Sequence, residues 1–207
     1  MKGLILCNGR PPEPTIFRRY LEASDYFIAA DGGANVARKL GHLPQVVIGD
    51  LDSFESSGDD PFELIEDPGQ ETNDLEKALA FAKKEGMTEM VILGATGKRL
   101  DHTLKNLSVL KQFDSRFDRL FFADNFGRTS LLPSTYRAEI PVGTTLSLFP
   151  LSGRVEGITT AGLKYPLEDE HLENGIRDGS SNVVVESPVE IRHRSGDLLL
   201  FTAHHEI

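Results

Sequence analysis

The amino-acid sequence predicts an α/β protein in which a doubly wound parallel sheet is followed by an all-β sandwich. Three observations carry this. Up to Asp124-Asn125-Phe126-Gly127, short apolar runs bounded by turn residues alternate with helix-period patterns. Beyond that point no amphipathic helix pattern occurs. Short β-rich stretches recur there instead, punctuated by glycine and proline, as antiparallel sandwiches and barrels require.

Taken in order, Lys2–Cys7, Tyr26–Ala30, Gln45–Ile48, Glu89–Leu93 and Arg119–Ala123 read as buried strands. The clearest helix is Asp74–Glu85, where Leu75, Ala78, Leu79 and Ala82 fall at i, i+3, i+4 and i+7 and make one apolar stripe. Asn73 can cap it, Glu76 completes a capping box, and Gly86 ends it. A second helix is expected over Asp101–Phe113, with Leu104, Leu107 and Leu110 facing inward. Strand–helix alternation of this kind makes a Rossmann-like sheet. In the later part, Arg128–Leu132, Tyr136–Ile140, Thr145–Phe149, Val155–Thr160, Asn182–Glu186, Val189–Arg194 and Leu198–Thr202 read as strands. The boundary is expected near Pro133–Arg137, giving domains 1–132 and 133–207.

The bulk composition narrows the function classes. With 207 residues and 39% hydrophobic content, the chain can build one large core or two small ones. The net charge of −10 and the absence of a long basic cluster argue against nucleic-acid binding. Plain solubility explains that acidity, or part of it is clustered to hold divalent cations or attract a cationic substrate. No apolar run is long enough to span a membrane, and the run Met1–Cys7 is too short for a signal peptide. Cys7 is the sole cysteine, so no internal disulfide forms, and a cytoplasmic location is expected. His204 and His205 have no third ligand nearby at zinc spacing.

Four patches place acids just past predicted strands or at a helix start. Ligands of open α/β sheets bind outside the carboxyl ends of the strands. Asp31-Gly32-Gly33-Ala34-Asn35 follows the second strand, and its glycines permit a tight turn and close backbone approach. Gly49-Asp50-Leu51-Asp52-Ser53 follows the third. In extended backbone Asp50 and Asp52 would point to one side, and two adjacent carboxylates repel unless a cation lies between them. Magnesium takes hard oxygen ligands of this type. Gln70-Glu71-Thr72-Asn73-Asp74 brings a carboxylate to the first turn of the best helix, which is also a favourable place for phosphate oxygens. Gly94-Ala95-Thr96-Gly97-Lys98-Arg99-Leu100-Asp101 joins a glycine loop to two cations. Arg99 can hold a phosphate bidentately, while Lys98 reads as a solvated loop charge. It is not a Walker A loop, and no dinucleotide fingerprint occurs in the chain. Singly, each patch has a bland alternative as a turn or a cap. Four junctions on one edge of one sheet would converge in space.

In order and spacing these patches resemble the thiamine pyrophosphokinase (thiamin diphosphokinase) family. Thr159–Leu167 and Gly179-Ser180-Ser181-Asn182 resemble that family's C-terminal segments. The resemblance implies an enzyme that transfers the pyrophosphoryl group of ATP to the hydroxyl of thiamine, giving AMP and thiamine diphosphate. It implies magnesium, a homodimer, and ATP and thiamine as partners, with no nucleic acid and no membrane. By the same resemblance Asp50, Asp52 and Asp74 bind the metal. Asp31, Gly32, Gly33, Asn35, Asn73 and Arg99 meet ATP. Asp50, Asp74, Arg99 and Asp101 are catalytic. Gln70, Ser181 and Asn182 meet thiamine, the last two from across the dimer. Asp101 and Asp74 both stand as candidates to take the hydroxyl proton.

The chain departs from the family pattern at three points. Asn73 stands where Thr is frequent, Gly97-Lys98 replaces a glycine pair, and no tryptophan follows Ser181-Asn182. A diphosphokinase for another alcohol, such as a hydroxymethylpterin, and a non-catalytic nucleotide or thiamine sensor are the alternative functions.

Overall fold

A computed structural model describes residues 1–58 and 60–204. His205, weighed above as a metal ligand, lies outside the described residues. The chain divides into two compact units, Met1–Asn125 and Phe126 onward.

The first unit is a parallel sheet of β1 (Lys2–Leu6), β2 (Tyr26–Ala30), β3 (Val46–Gly49), β4 (Glu63–Glu66), β5 (Glu89–Leu93) and β6 (Arg119–Ala123). Within this unit the order is β6-β5-β1-β2-β3-β4. Four helices connect the strands: α1 (Pro14–Glu22), α2 (Gly33–Lys39), α3 (Asp74–Lys84) and α4 (Leu100–Asp114). From β1 to β4 the chain steps outward in one direction, and it then returns to β5 and β6 on the other side of β1. Right-handed crossovers put α1 and α2 on one face and α3 and α4 on the other. Leu4 and Leu6 pack with Phe17 and Tyr20 of α1 and Val36 and Ala37 of α2. Ile5, between them in β1, points to the opposite side and is fully buried.

Two elements carried no clear sequence signal. Helix α1 has only nine residues, opens with Pro14 at its first position, and buries Phe17 and Tyr20. Strand β4 is a four-residue edge strand flanked by glutamates, with Leu64 exposed, so no run of buried apolar residues marks it. In α4 the expected stripe is partly wrong. Leu110 is buried, but Leu104 is 57% exposed. The buried face is Asn106, Val109, Leu110 and Phe113. Asn106 takes the inward place because its side chain is paired there: Nδ2 donates to the Ala95 carbonyl at 2.7 Å and Oδ1 accepts from Asn73 Nδ2 at 2.9 Å.

The second unit is all-β. One antiparallel sheet runs β12 (Gly179–Val183), β9 (Thr145–Pro150), β14 (Leu198–Ala203) and β7 (Gly127–Leu131). The other runs β11 (Glu170–Leu172), β10 (Val155–Ala161), β13 (Val189–Arg192) and β8 (Thr135–Ala138). Leu146, Leu148, Leu198 and Leu200 from the first meet Val155, Ile158, Leu172, Val189 and Ile191 from the second in one core, which makes a sandwich. The short β11 carried no strand signal in the sequence, and β12 runs over Gly179–Val183, sharing only Asn182 and Val183 with the expected Asn182–Glu186. Among the described residues no helix is long and apolar enough to cross a membrane.

Candidate active site

The carboxyl ends of β1, β2, β3 and β5, with the first turn of α3, surround a cavity of about 620 Å³. It opens where the strand order reverses, between β1 and its two neighbours β2 and β5, where open α/β sheets bind ligands. Cys7, Asn8, Asp31, Asp50, Asp52, Gln70, Asn73, Asp74, Lys98 and Arg99 are among the residues lining it.

Asp31, Asp50 and Asp74 each bring a carboxylate oxygen within 4.8 Å of the others. Asp31 directly follows β2, is 5% exposed, and takes a left-handed φ of 45°. Its Oδ1 is buried with no hydrogen-bond partner among the described residues. Asp50 directly follows β3, and Asp74 is the first residue of α3. Gly49 makes the approach possible, because a Cβ there would lie 2.8 Å from Asp31 Cβ and 3.0 Å from Asp74 Oδ1. Burial, with the charges of Asp31 and Asp50, raises the Asp74 carboxyl above its ordinary range. Three crowded carboxylates, one with an unpaired buried oxygen, form a donor set suited to a hard divalent cation.

Asp52 lines the same cavity but stands outside this trio. The extended path assumed for Asp50-Leu51-Asp52 does not form, because Leu51 has φ 61° and turns the chain. Asp52 accepts a hydrogen bond from the Ser53 hydroxyl at 2.9 Å instead.

Gly32, Gly33 and Asn35 shape the site from behind. A Cβ on Gly33 would lie 2.0 Å from the Leu6 carbonyl oxygen, so glycine lets α2 start against the end of β1. Asn35 donates to the Ser53 carbonyl at 2.7 Å and accepts from the Glu55 N–H at 3.0 Å, holding the loop that carries Asp50 and Asp52. Asn73 caps α3 in a full capping box with Glu76.

Across the cavity, Arg99 is held by Asp101 through two hydrogen bonds, of 3.1 and 2.5 Å. That bonding holds the Asp101 carboxyl below its ordinary range. Asp101 itself is not among the residues lining the cavity, although the sequence spacing brought it there. Lys98 does more than a solvated loop charge. Its ammonium donates to Asn8 at both the carbonyl (2.7 Å) and Oδ1 (2.9 Å), tying the β1 loop to the β5 loop. It adopts φ 57°, the left-handed conformation open to a glycine at that place. Asn8 and the buried Lys77 also line the cavity. Sequence reasoning assigned no role to Asn8 or Lys77, whose partners are distant or become apparent only in the fold.

Ser181 and Asn182 lie in β12 of the second unit. Ser181 is exposed with φ 59°. Asn182 is largely occupied: Oδ1 accepts the Tyr165 and Val183 N–H groups, and Nδ2 donates to the Tyr165 carbonyl at 2.7 Å. It borders a second cavity of about 190 Å³ with Leu148, Tyr165, Asp178 and Ser180.

Two family models match the chain. The thiamin pyrophosphokinase catalytic domain matches residues 17–122, and the thiamin pyrophosphokinase vitamin B1 binding domain matches residues 135–198. Thiamine pyrophosphokinase 1 of Oryza sativa subsp. japonica is 27% identical over 196 residues, spanning 79% of this chain and 74% of the relative. The crystal structure of thiamine pyrophosphokinase from Bacillus subtilis is 21% identical and superposes with a TM-score of 0.84 over 100% of both chains. That of thiamin pyrophosphokinase from Candida albicans is 17% identical, with a TM-score of 0.85 over 99% of this chain and 90% of that one. At such identities the structures show a shared fold.

Proposed function

The chain belongs to the thiamin pyrophosphokinase family, and from that premise we propose that it is a thiamine diphosphokinase, transferring the pyrophosphoryl group of ATP to the hydroxyl of thiamine with release of AMP. One observation supports this above the others. Asp31, Asp50 and Asp74 converge on one side of a cavity that also contains the cations Lys98 and Arg99. That is a place for a cation-bound polyphosphate.

Magnesium is the proposed cation, held by Asp31, Asp50 and Asp74; when bound, it supplies charge neutralisation at the phosphate oxygens. Asp52 lies beside them for a water-mediated or phosphate-side role. Arg99 offers its fork of donors to the transferring phosphoryl oxygens, where charge stabilisation is the main catalytic work. Asp101 orients Arg99; with its charge so engaged it is a poor proton acceptor. Asn35 and the Gly32-Gly33 turn keep the nucleotide side of the cavity in shape, and Asn73 fixes the start of α3.

Gln70, on the loop before α3, is proposed to meet thiamine, together with Ser181 and Asn182 from the β-domain of a second copy. Asn182 still has one amide hydrogen for a ligand. In this reading the first unit handles ATP and the cation and lends Gln70 to thiamine, and the second unit handles thiamine and dimerisation. A cytoplasmic location belongs to the same proposal and rests on the lone cysteine.

The test is AMP release from ATP and Mg2+ with and without thiamine. AMP formed only with thiamine supports the proposal. Turnover with another alcohol but not with thiamine would replace the substrate, and ATP binding without any turnover would make the protein a sensor.

A further inference from the structure

Lys77 lies one helical turn after Asp74 and points into the carboxylate cavity. Its side chain is 4% exposed, and its ammonium stands 3.6 Å from Asp74 Oδ1. It also donates to the Asp67 carbonyl oxygen at 2.6 Å, which ties the loop before Gln70 to α3. A lysine is rarely buried without a reason, because desolvating an ammonium is costly unless it is paired. The other cations bordering the cavity have different partners. Arg99 pairs with Asp101, Lys105 with Glu76, and Lys98 with Asn8. Among the described ion pairs, Lys77 alone reaches the trio.

The charges explain why it is there. Three carboxylates within 4.8 Å carry three negative charges, and the buried ammonium leaves a formal −2. One divalent cation then neutralises the site. Without the ammonium, Asp31, Asp50 and Asp74 would repel one another with no internal relief, and Asp31 already has an unpaired buried oxygen. We propose that Lys77 is a positioning residue: a built-in counter-ion that holds Asp74 in place in the cation-free protein and sets how tightly the trio takes up one divalent cation. This rests on reading the trio as a divalent-cation site.

The test compares the whole chain with Lys77→Met and Lys77→Arg, using Mg2+ alone, without nucleotide or thiamine. Calorimetry gives the Kd, and thermal unfolding with and without Mg2+ gives the Tm. Lys77→Met should bind Mg2+ about tenfold or more tighter, since one positive charge is gone from a poorly screened site. Its cation-free Tm should fall by about 5 °C or more. Saturating Mg2+ should close more than half of that gap, and Lys77→Arg should restore affinity toward wild type. If the lysine only fills space, the Tm deficit is the same with and without Mg2+ and the Kd stays within about twofold; that result overturns the proposal. A Lys77→Met chain that stays unfolded even at millimolar Mg2+ overturns it as well. A wild-type chain whose Tm does not respond to Mg2+ sinks the cation-site reading itself, and that outcome is separate from the AMP assay.

Discussion

Asn35 ties one acidic patch to the next: from the first turn of α2 its side chain donates to the Ser53 carbonyl at 2.7 Å and accepts the Glu55 N–H at 3.0 Å. Asn35, which the family resemblance assigns to ATP, thus holds the loop that carries Asp50 and Asp52. Asn35→Ala should remove about 1 kcal/mol per hydrogen bond and let that loop drift. We expect kcat/KM to fall about 10- to 100-fold, as misplacement by about an ångström does, with the Tm only a few degrees lower. Steady-state kinetics with calorimetry checks this; unchanged kinetics would remove the loop-holding role.

Asp31→Asn separates function from stability. Asparagine tolerates the left-handed φ of 45° at this position, so the change tests charge rather than backbone. Relieving repulsion in the trio should raise the Tm of the cation-free protein by a few degrees, equivalent to about 1 kcal/mol, while turnover is lost. A Tm that falls in the absence of cation would show that the three charges do not repel as their spacing implies.

Gly49→Ala places a methyl 2.8 Å from Asp31 Cβ and 3.0 Å from Asp74 Oδ1. Overpacking of this kind costs about 1–3 kcal/mol. The larger effect should be on activity, with kcat down at least about tenfold and Mg2+ affinity changed, because the methyl pushes two carboxylates apart. Full activity in this variant would mean the trio does not need its close spacing.

Cys7 lines the cavity yet should be chemically quiet. Burial, with the nearby Asp74 charge adding to it, pushes the thiol up to about 12. At pH 8 the native protein should react with a thiol reagent far more slowly than the urea-unfolded chain. Equal rates would show that the β1 end is open to solvent.

Glu76 should make α3 sensitive to acid. Burial works to raise its carboxyl, but the hydrogen bond from Lys105 and the Asn73 N–H outweigh it and hold it below its ordinary value. A carboxyl lowered by folding adds stability above its unfolded value, and that stability is lost as pH falls through the folded one. Glu76→Gln should thus be less stable than wild type by about 1–2 kcal/mol at pH 7, with the difference starting to shrink only as pH falls below about 4 and lost further into acid. Urea unfolding at pH 7 and through that acid range checks the sign.

Much of this protein was legible in its sequence because its signals are local. The apolar runs at Tyr26–Ala30, Glu89–Leu93 and Arg119–Ala123 became strands with those bounds, since strands buried on both faces read as continuous hydrophobic segments. Asn73 and Glu76 form the capping box that their spacing implies, because capping depends on residues three apart. Acids placed just past strand ends arrived at one rim because parallel strands present all their carboxyl ends on the same side.

What tertiary structure alone decided lies in residues whose partners are distant in the chain. Leu104 fits an apolar stripe but faces outward, because Asn106 is held inside by Ala95 and Asn73. Asp52 and Asp101 share the spacing of the other acids. A left-handed Leu51 turns the first away from the trio, and Arg99 claims the second. Lys77 looks like any helix-surface lysine until the fold buries it against Asp74. Periodicity and turn chemistry report which way a backbone runs. The partner that takes a charge, and the water excluded from it, depend on elements brought together only by folding.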